Sequence, residues 1–296
     1  MMSRVLASVF ALAVFSSPSV HAQNPTEPSG DTIVYGVRAP GWAAQAGILG
    51  INALFGGVTA GLIQELRGGS FSDGFTRGAF GGSFVYLGKR VAGQRFDGAG
   101  FIGREVSAVG SSIIRNASEA RPIFESLVFP VGPVRVHVQP KGERRIDASL
   151  DVMGSLWLAY AISEPELELD ASETLSAGAP VFRTNNKLIV FRENRFHAGG
   201  ITPAGVILQS YVPAWGQPFL QRVLAHERIH VEQEDQIFHT LIEPAEIWLL
   251  RRVPYGDRIA RRLDFNLSTE VLSLGRFLFK DHSDRPWELE AIYLSR

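Results

Sequence analysis

The chain has 296 residues, 45% of them hydrophobic and 20% charged, which is the composition of a folded globular protein with apolar side chains enough for one large domain or two small ones. A net charge of -1 makes no electrostatic case for nucleic acid, and no nucleic-acid partner is expected. The absence of cysteine excludes a disulfide framework, a cysteine nucleophile and a thiolate metal site.

Residues 1–22 read as a secretory signal. Arg4 supplies the charge, Val5 to Phe15 the apolar run, and Val20-His21-Ala22 a small-x-small cleavage site, so the mature chain is expected to begin at Gln23. Export to a periplasm or the cell exterior follows. Residues 23–40, with Pro25, Pro28 and Gly30, read as a linker.

Residues 41–130 form a glycine-rich helical region. Gly57 and Gly61, then Gly74, Gly78 and Gly82, recur at every fourth position, which gives a helix a groove that another backbone can enter. No charge occurs from Ala39 to Gln64, a length that could span a bilayer, so residues 41–112 are a candidate for membrane contact. Gln45, Asn52 and Thr59 within it, and Arg77, Lys89 and Arg90 after it, favour close-packed helices in a soluble fold. Gly98-x-Gly100-x-x-Gly103 matches a dinucleotide fingerprint only formally, because no buried strand precedes it and no acidic residue follows at the required offset.

Residues 131–212 switch to a period of two. Val134, Val136 and Val138 alternate with Arg135 and His137, and Ile146 to Val152 and Leu167 to Asp170 alternate likewise, which predicts half-buried antiparallel strands. Asn185-Asn186 reads as a hairpin turn between Val181-Phe182 and Leu188 to Phe191. Met153 to Ile162 fits either helix or strand, and Gly205 to Ser210 predicts a further strand.

Residues 213–296 carry the pattern with the clearest chemistry, His226-Glu227-Arg228-Ile229-His230. Gly216-Gln217-Pro218 predicts a helix start, since proline suits the first helical turn. On that helix His226 and His230 stack at i and i+4, where two imidazoles can share one cation. Phe219, Val223, His226, His230 and Gln233 form one stripe. Glu227, one step round, is placed to act as general base on a metal-activated water.

A catalytic metal wants a third protein ligand. Glu234 lies eight residues beyond His226, roughly 12 Å along the axis, which one ion cannot bridge. Glu243 and Glu246, after a bend at Pro244, remain open. Arg285 to Ala291 is the stronger segment, on a final helix from Trp287 to Leu294 with Ser283 or Asp284 as cap. There Glu288 lies about 60° from the centre of the apolar face and Glu290 about 100°, so Glu288 points inward and Glu290 supports a ligand or faces solvent.

Together, His226-Glu-x-x-His230 and Glu288-Leu289-Glu290-Ala291 resemble the zincin metallopeptidases, in the branch whose third ligand is a downstream Glu in Glu-x-x-Ala. The resemblance covers Gly205 to Arg296. It implies Zn2+ held by His226, His230 and Glu288, Glu227 as general base, and a peptide or protein substrate. An aspartate often follows the alanine in that branch; here the residue is Ile292. Zincins also pair an extended substrate with a strand beside the active helix, for which Gly205 to Ser210 is the expected one, and need an oxyanion donor, for which Tyr255, His282, Arg285 and Tyr293 are candidates. The expected fold class is α+β, and the expected activity is that of an exported zinc-dependent hydrolase. The competing expectation is a non-catalytic envelope or membrane-associated assembly protein with structural histidines or a structural metal.

Overall fold

A computed structural model describes residues 41–141, 145–185, 188–189, 197–198, 200–211, 216–269, 272 and 285–295. The expected signal and linker lie outside these residues, as do Asn186, His282, Ser283 and Asp284. The fold class is α+β, as expected.

The glycine-rich region forms three helices: α1 (Trp42–Leu66), α2 (Phe71–Ala92) and α3 (Ala99–Ser118). α2 packs against both others. The spaced glycines do what their period predicts. A Cβ on Gly78 would stand 2.3 Å from the Gly56 carbonyl oxygen, and one on Gly82 would stand 2.1 Å from that of Asn52. Only glycine lets these two backbones touch. The Gly98 to Gly103 segment serves packing too, since Gly103 abuts Gly88 and Ala92 of α2. α1 is inverted in polarity. Asn52, Thr59 and Gln64 are buried, while Leu49, Leu54 and Leu66 are exposed. By length and composition it could cross a membrane.

Two four-stranded sheets follow. β1 (Leu127–Val131), β2 (Val134–Val138) and β3 (Ile146–Asp151) form an antiparallel meander, and β10 (Leu263–Asp264) joins β3 in parallel. Met153 to Ile162 is helical, within α4 (Val152–Ser163), because the Asp151 side chain accepts the Gly154 N–H and caps it. The second sheet has the order β4 (Glu168–Leu169), β5 (Val181–Thr184), β9 (Ile207–Ser210), β8 (Gly200–Ile201). The helix α5 (Ala171–Ala177) links β4 to β5. Asn186 of the expected hairpin turn lies outside the described residues, and the strands on either side of it pair elsewhere. β5 pairs with β4 and, in parallel, with β9, whereas β6 (Leu188–Ile189) pairs with β7 (His197–Ala198). Val181 and Phe182 are both buried, so β5 needs cover on both faces and takes a central position.

The helix carrying the histidines, α6, spans Gln217–Ile237 with Pro218 in its first turn. A π turn over Phe238–Ile242 leads to α7 (Glu243–Leu250), α8 (Gly256–Ala260) and finally α9 (Pro286–Leu294). The N-cap position of α9 is Arg285, with no side-chain cap. α6 is the hub, in contact with α2, α3, α9, β8 and β9. Its Leu224 and Val231 pack with Ala177, Val181 and Ile207, and its Ile229 packs with Tyr86, Ala291 and Leu294. The predicted stripe therefore runs between two packed faces. Phe219, Val223, His226 and His230 are half-buried, and Gln233 is buried.

Candidate metal centre

The i, i+4 spacing on α6 brings the two imidazoles edge to face, with Nε2 of His226 and Nε2 of His230 3.0 Å apart. α9 crosses α6 at this level because Ala291, fully buried, lets the two backbones approach. Glu288, in the first turn of α9, thus reaches both rings; its Oε2 lies 3.3 Å from each Nε2. The three ligand atoms form a nearly equilateral triangle. Ligands held 2.0–2.1 Å from a tetrahedral ion stand about 3.3 Å apart, so the triangle has the spacing of three ligands to one zinc-sized cation. Two imidazoles and one carboxylate form a donor set that hydrolytic zinc sites use. Among the described residues this is the group of three His, Asp or Glu side chains placed to hold a metal. Side-chain exposures of 19% for His226, 14% for His230 and 7% for Glu288 leave the histidine edge within reach of solvent.

The charges agree with a cation site. Burial alone would lower the pKa of His230, but the Glu288 and Glu227 carboxylates and hydrogen bonds to Glu288 and Gln233 push it up to about 10. A metal ion taking this position displaces that proton.

Gln233 fixes which nitrogen of His230 faces the triangle. Its amide nitrogen donates to the Trp287 carbonyl (2.9 Å) and to Glu290 (2.7 Å), so its oxygen turns to His230 Nδ1, 2.7 Å away. Nδ1 therefore keeps a proton, and Nε2 is the nitrogen left to give up its own proton and bind a metal.

Glu227 is buried, and its charge is felt at His230. Its Oε2 accepts from the Thr202 hydroxyl at 2.7 Å. Gly200 lies so near that a Cβ there would stand 2.7 Å from Glu227 Cγ. Thr202 and Gly200 had no signal in the sequence, since nothing local links them to a helix 25 residues on.

The remaining acidic candidates part company with the triangle. Glu290 neither faces solvent nor joins the ligands; it pairs with Lys89 Nζ at 2.9 Å. Glu243 pairs with Arg115 at 2.6 Å and His239 at 3.1 Å, and Glu246 accepts the Phe265 N–H. Burial works against the Glu243 charge, but Arg115 and His239 hold its pKa at about 2, while burial and the Asp264 and Glu243 charges push Glu246 up to about 7. Glu234, excluded by distance, accepts from Gly205 and Thr269 instead. Tyr255 is 74% exposed on the loop before α8, whereas Arg285 and Tyr293 belong to the segment that carries Glu288.

The expected substrate strand needs correction. β9 is paired on both sides and every residue in it is buried, so it has no free edge. The end of the sheet order is β8, the strand that lies against Glu227.

Comparison with protein-family models, curated proteins and solved structures returned no match.

Proposed function

We propose that the protein is an exported zinc-dependent hydrolase that cleaves peptide bonds. The observation that carries this reading is the convergence of His226 Nε2, His230 Nε2 and Glu288 Oε2 at 3.0–3.3 Å on a partly open helix edge. Zinc held there would supply Lewis acidity, lowering the pKa of a water and polarising a carbonyl. Glu227 takes the proton of the attacking water and returns it to the leaving amine. The Thr202 hydroxyl holds one oxygen of that carboxylate and leaves the other for the water. The side of β8 away from β9, unpaired among the described residues, would offer backbone groups to an extended peptide beside Glu227.

The test is metal content and turnover together. Purified protein should hold one zinc per chain and cleave members of a mixed peptide library, with cleavage lost to a chelator and restored by zinc. A protein free of metal after exposure to zinc sinks the reading.

One observation favours a second, compatible role. The outward residues of the glycine-rich helices, among them Leu49, Leu54, Phe80, Leu87, Phe101 and Ile102, are apolar and exposed. Contact of this face with a lipid surface would hold the hydrolase at a membrane. Co-flotation of the purified protein with neutral lipid vesicles tests it, and a protein that stays at the bottom of the gradient removes it.

A further inference from the structure

The glycine-rich helices do more than surround α6. Two of them, α1 and α2, meet α6 and α9 at one buried point linked to His230. Lys89 of α2 donates all three ammonium protons: to Asn52 of α1 (2.9 Å), to Gln236 of α6 (2.8 Å) and to Glu290 of α9 (2.9 Å). Asn52 also donates to the second oxygen of Glu290 at 2.6 Å. The first Glu290 oxygen then accepts from Gln233, whose own oxygen receives the His230 Nδ1–H. Lys89, Asn52, Gln233 and Gln236 are each buried to 5% exposure or less.

From this chain of bonds we infer that Lys89 and Glu290, acting through Gln233, are positioning residues that lock His230 in its metal-binding tautomer. The inference rests on the metal reading of the triangle. An amide can turn by 180° and exchange its oxygen for its nitrogen. With Glu290 and the Trp287 carbonyl present, that turn would set the Gln233 oxygen against two acceptors. Without Glu290, one of those barriers is gone. The turned amide would offer N–H to His230 Nδ1, the proton would move to Nε2, and the nitrogen facing the triangle would lose its lone pair. Lys89 keeps Glu290 charged and fixed, and its third bond ties the same point to α6. The glycine-rich region is thereby part of the metal centre, although none of its residues is a ligand.

Two variants and one direct measurement test this. Gln233→Met keeps volume and removes the relay. Lys89→Met/Glu290→Met removes both buried charges together, which avoids leaving either one alone. Zinc affinity, read by competition with a chromophoric chelator, should fall roughly 10–100-fold in each, the range typical for loss of a group that orients a ligand. The cobalt-loaded variants should show a weakened or shifted visible spectrum. In zinc-loaded wild type, nitrogen-resolved NMR should find the His230 proton on Nδ1. Wild-type affinity in folded variants overturns the relay while leaving the metal site standing, as does a His230 proton on Nε2. A wild type that takes up no zinc overturns the metal site and the relay with it.

Discussion

α6 carries two clusters of buried polar groups, and they differ in what balances the charge. Towards its end, Asp235 accepts from Arg104 at 2.8 Å and Arg135 at 3.2 Å; Arg135 also pairs with Asp151 at 2.7 Å and lies over the Phe238 ring. Burial opposes the Asp235 charge, yet the two guanidinium groups hold its pKa at about 2. Asp151, Asp235 and Asp264 each meet the Arg135 guanidinium, so this network carries its own cation. In the middle of the helix, His226, His230 and Glu288 instead converge on one another, with the two Nε2 atoms 3.0 Å apart and Glu288 Oε2 3.3 Å from each. A proton or a metal ion has to complete that set. The lesson is that burial and charge do not distinguish a structural network from a site; the presence of a resident cation does.

The contrast can be broken or sharpened by substitution. The largest effect is expected at Arg135. Arg135→Met strands Asp151 and Asp264 in the interior, leaves Asp235 with Arg104 alone, and should cost about 3–5 kcal/mol in denaturant unfolding, with the ligand triangle chemically intact. If unfolding is unchanged, the far cluster is not held by its charges. His226→Ala and Glu288→Gln should do the reverse: zinc is lost, while the metal-free protein loses less unfolding free energy than Arg135→Met does. A large loss of metal-free stability in both would make the triangle structural.

Smaller effects separate roles within the site. Glu227→Gln should keep zinc and lower peptide hydrolysis about 10²–10⁴-fold, the usual contribution of a general base. Undiminished hydrolysis would falsify that role. Gly200→Ala places a methyl against Glu227 and should reduce turnover about tenfold with zinc content unchanged, because a small displacement of a reacting group is costly. The mildest effect concerns acid stability. Glu243 has a folded pKa near 2, below its unfolded value, so its contribution to stability is present above about pH 4.5 and lost as pH falls through 2. Arg115→Met should flatten the loss of stability over that window, measured by thermal unfolding at stepped pH, and an unaltered acid limb would show that Arg115 does not hold Glu243.

Much of the site was legible because its information is local. Pro218 marked the start of α6, the spacing of two histidines placed them on one face, and the angle of Glu288 from the apolar face of α9 brought it to them. The glycine period likewise announced close helices. What failed was partner choice. An alternating pattern says which side of a strand is buried and not which strand lies beside it, so the parallel β5–β9 pairing was missed and β9 was mistaken for an edge. For Glu290 the helix angle left two readings open, support of a ligand or a solvent face, because it does not show that α9 packs against α6 on one side and Lys89 and Asn52 on the other. Nothing near Glu290 in the chain announces Lys89.

The Lys89–Glu290 bond joins positions 201 residues apart, and Asn52–Glu290 joins positions 238 apart. Closing loops of that length makes for slow assembly, since non-local contacts are rewarded only after the chain has lost its freedom. The ligand set would then be completed late in folding, after both ends of the chain have met. Zinc uptake during refolding would serve as a clock for that final docking, trailing the appearance of helix, and it would distinguish a finished molecule from one whose first helices have formed alone.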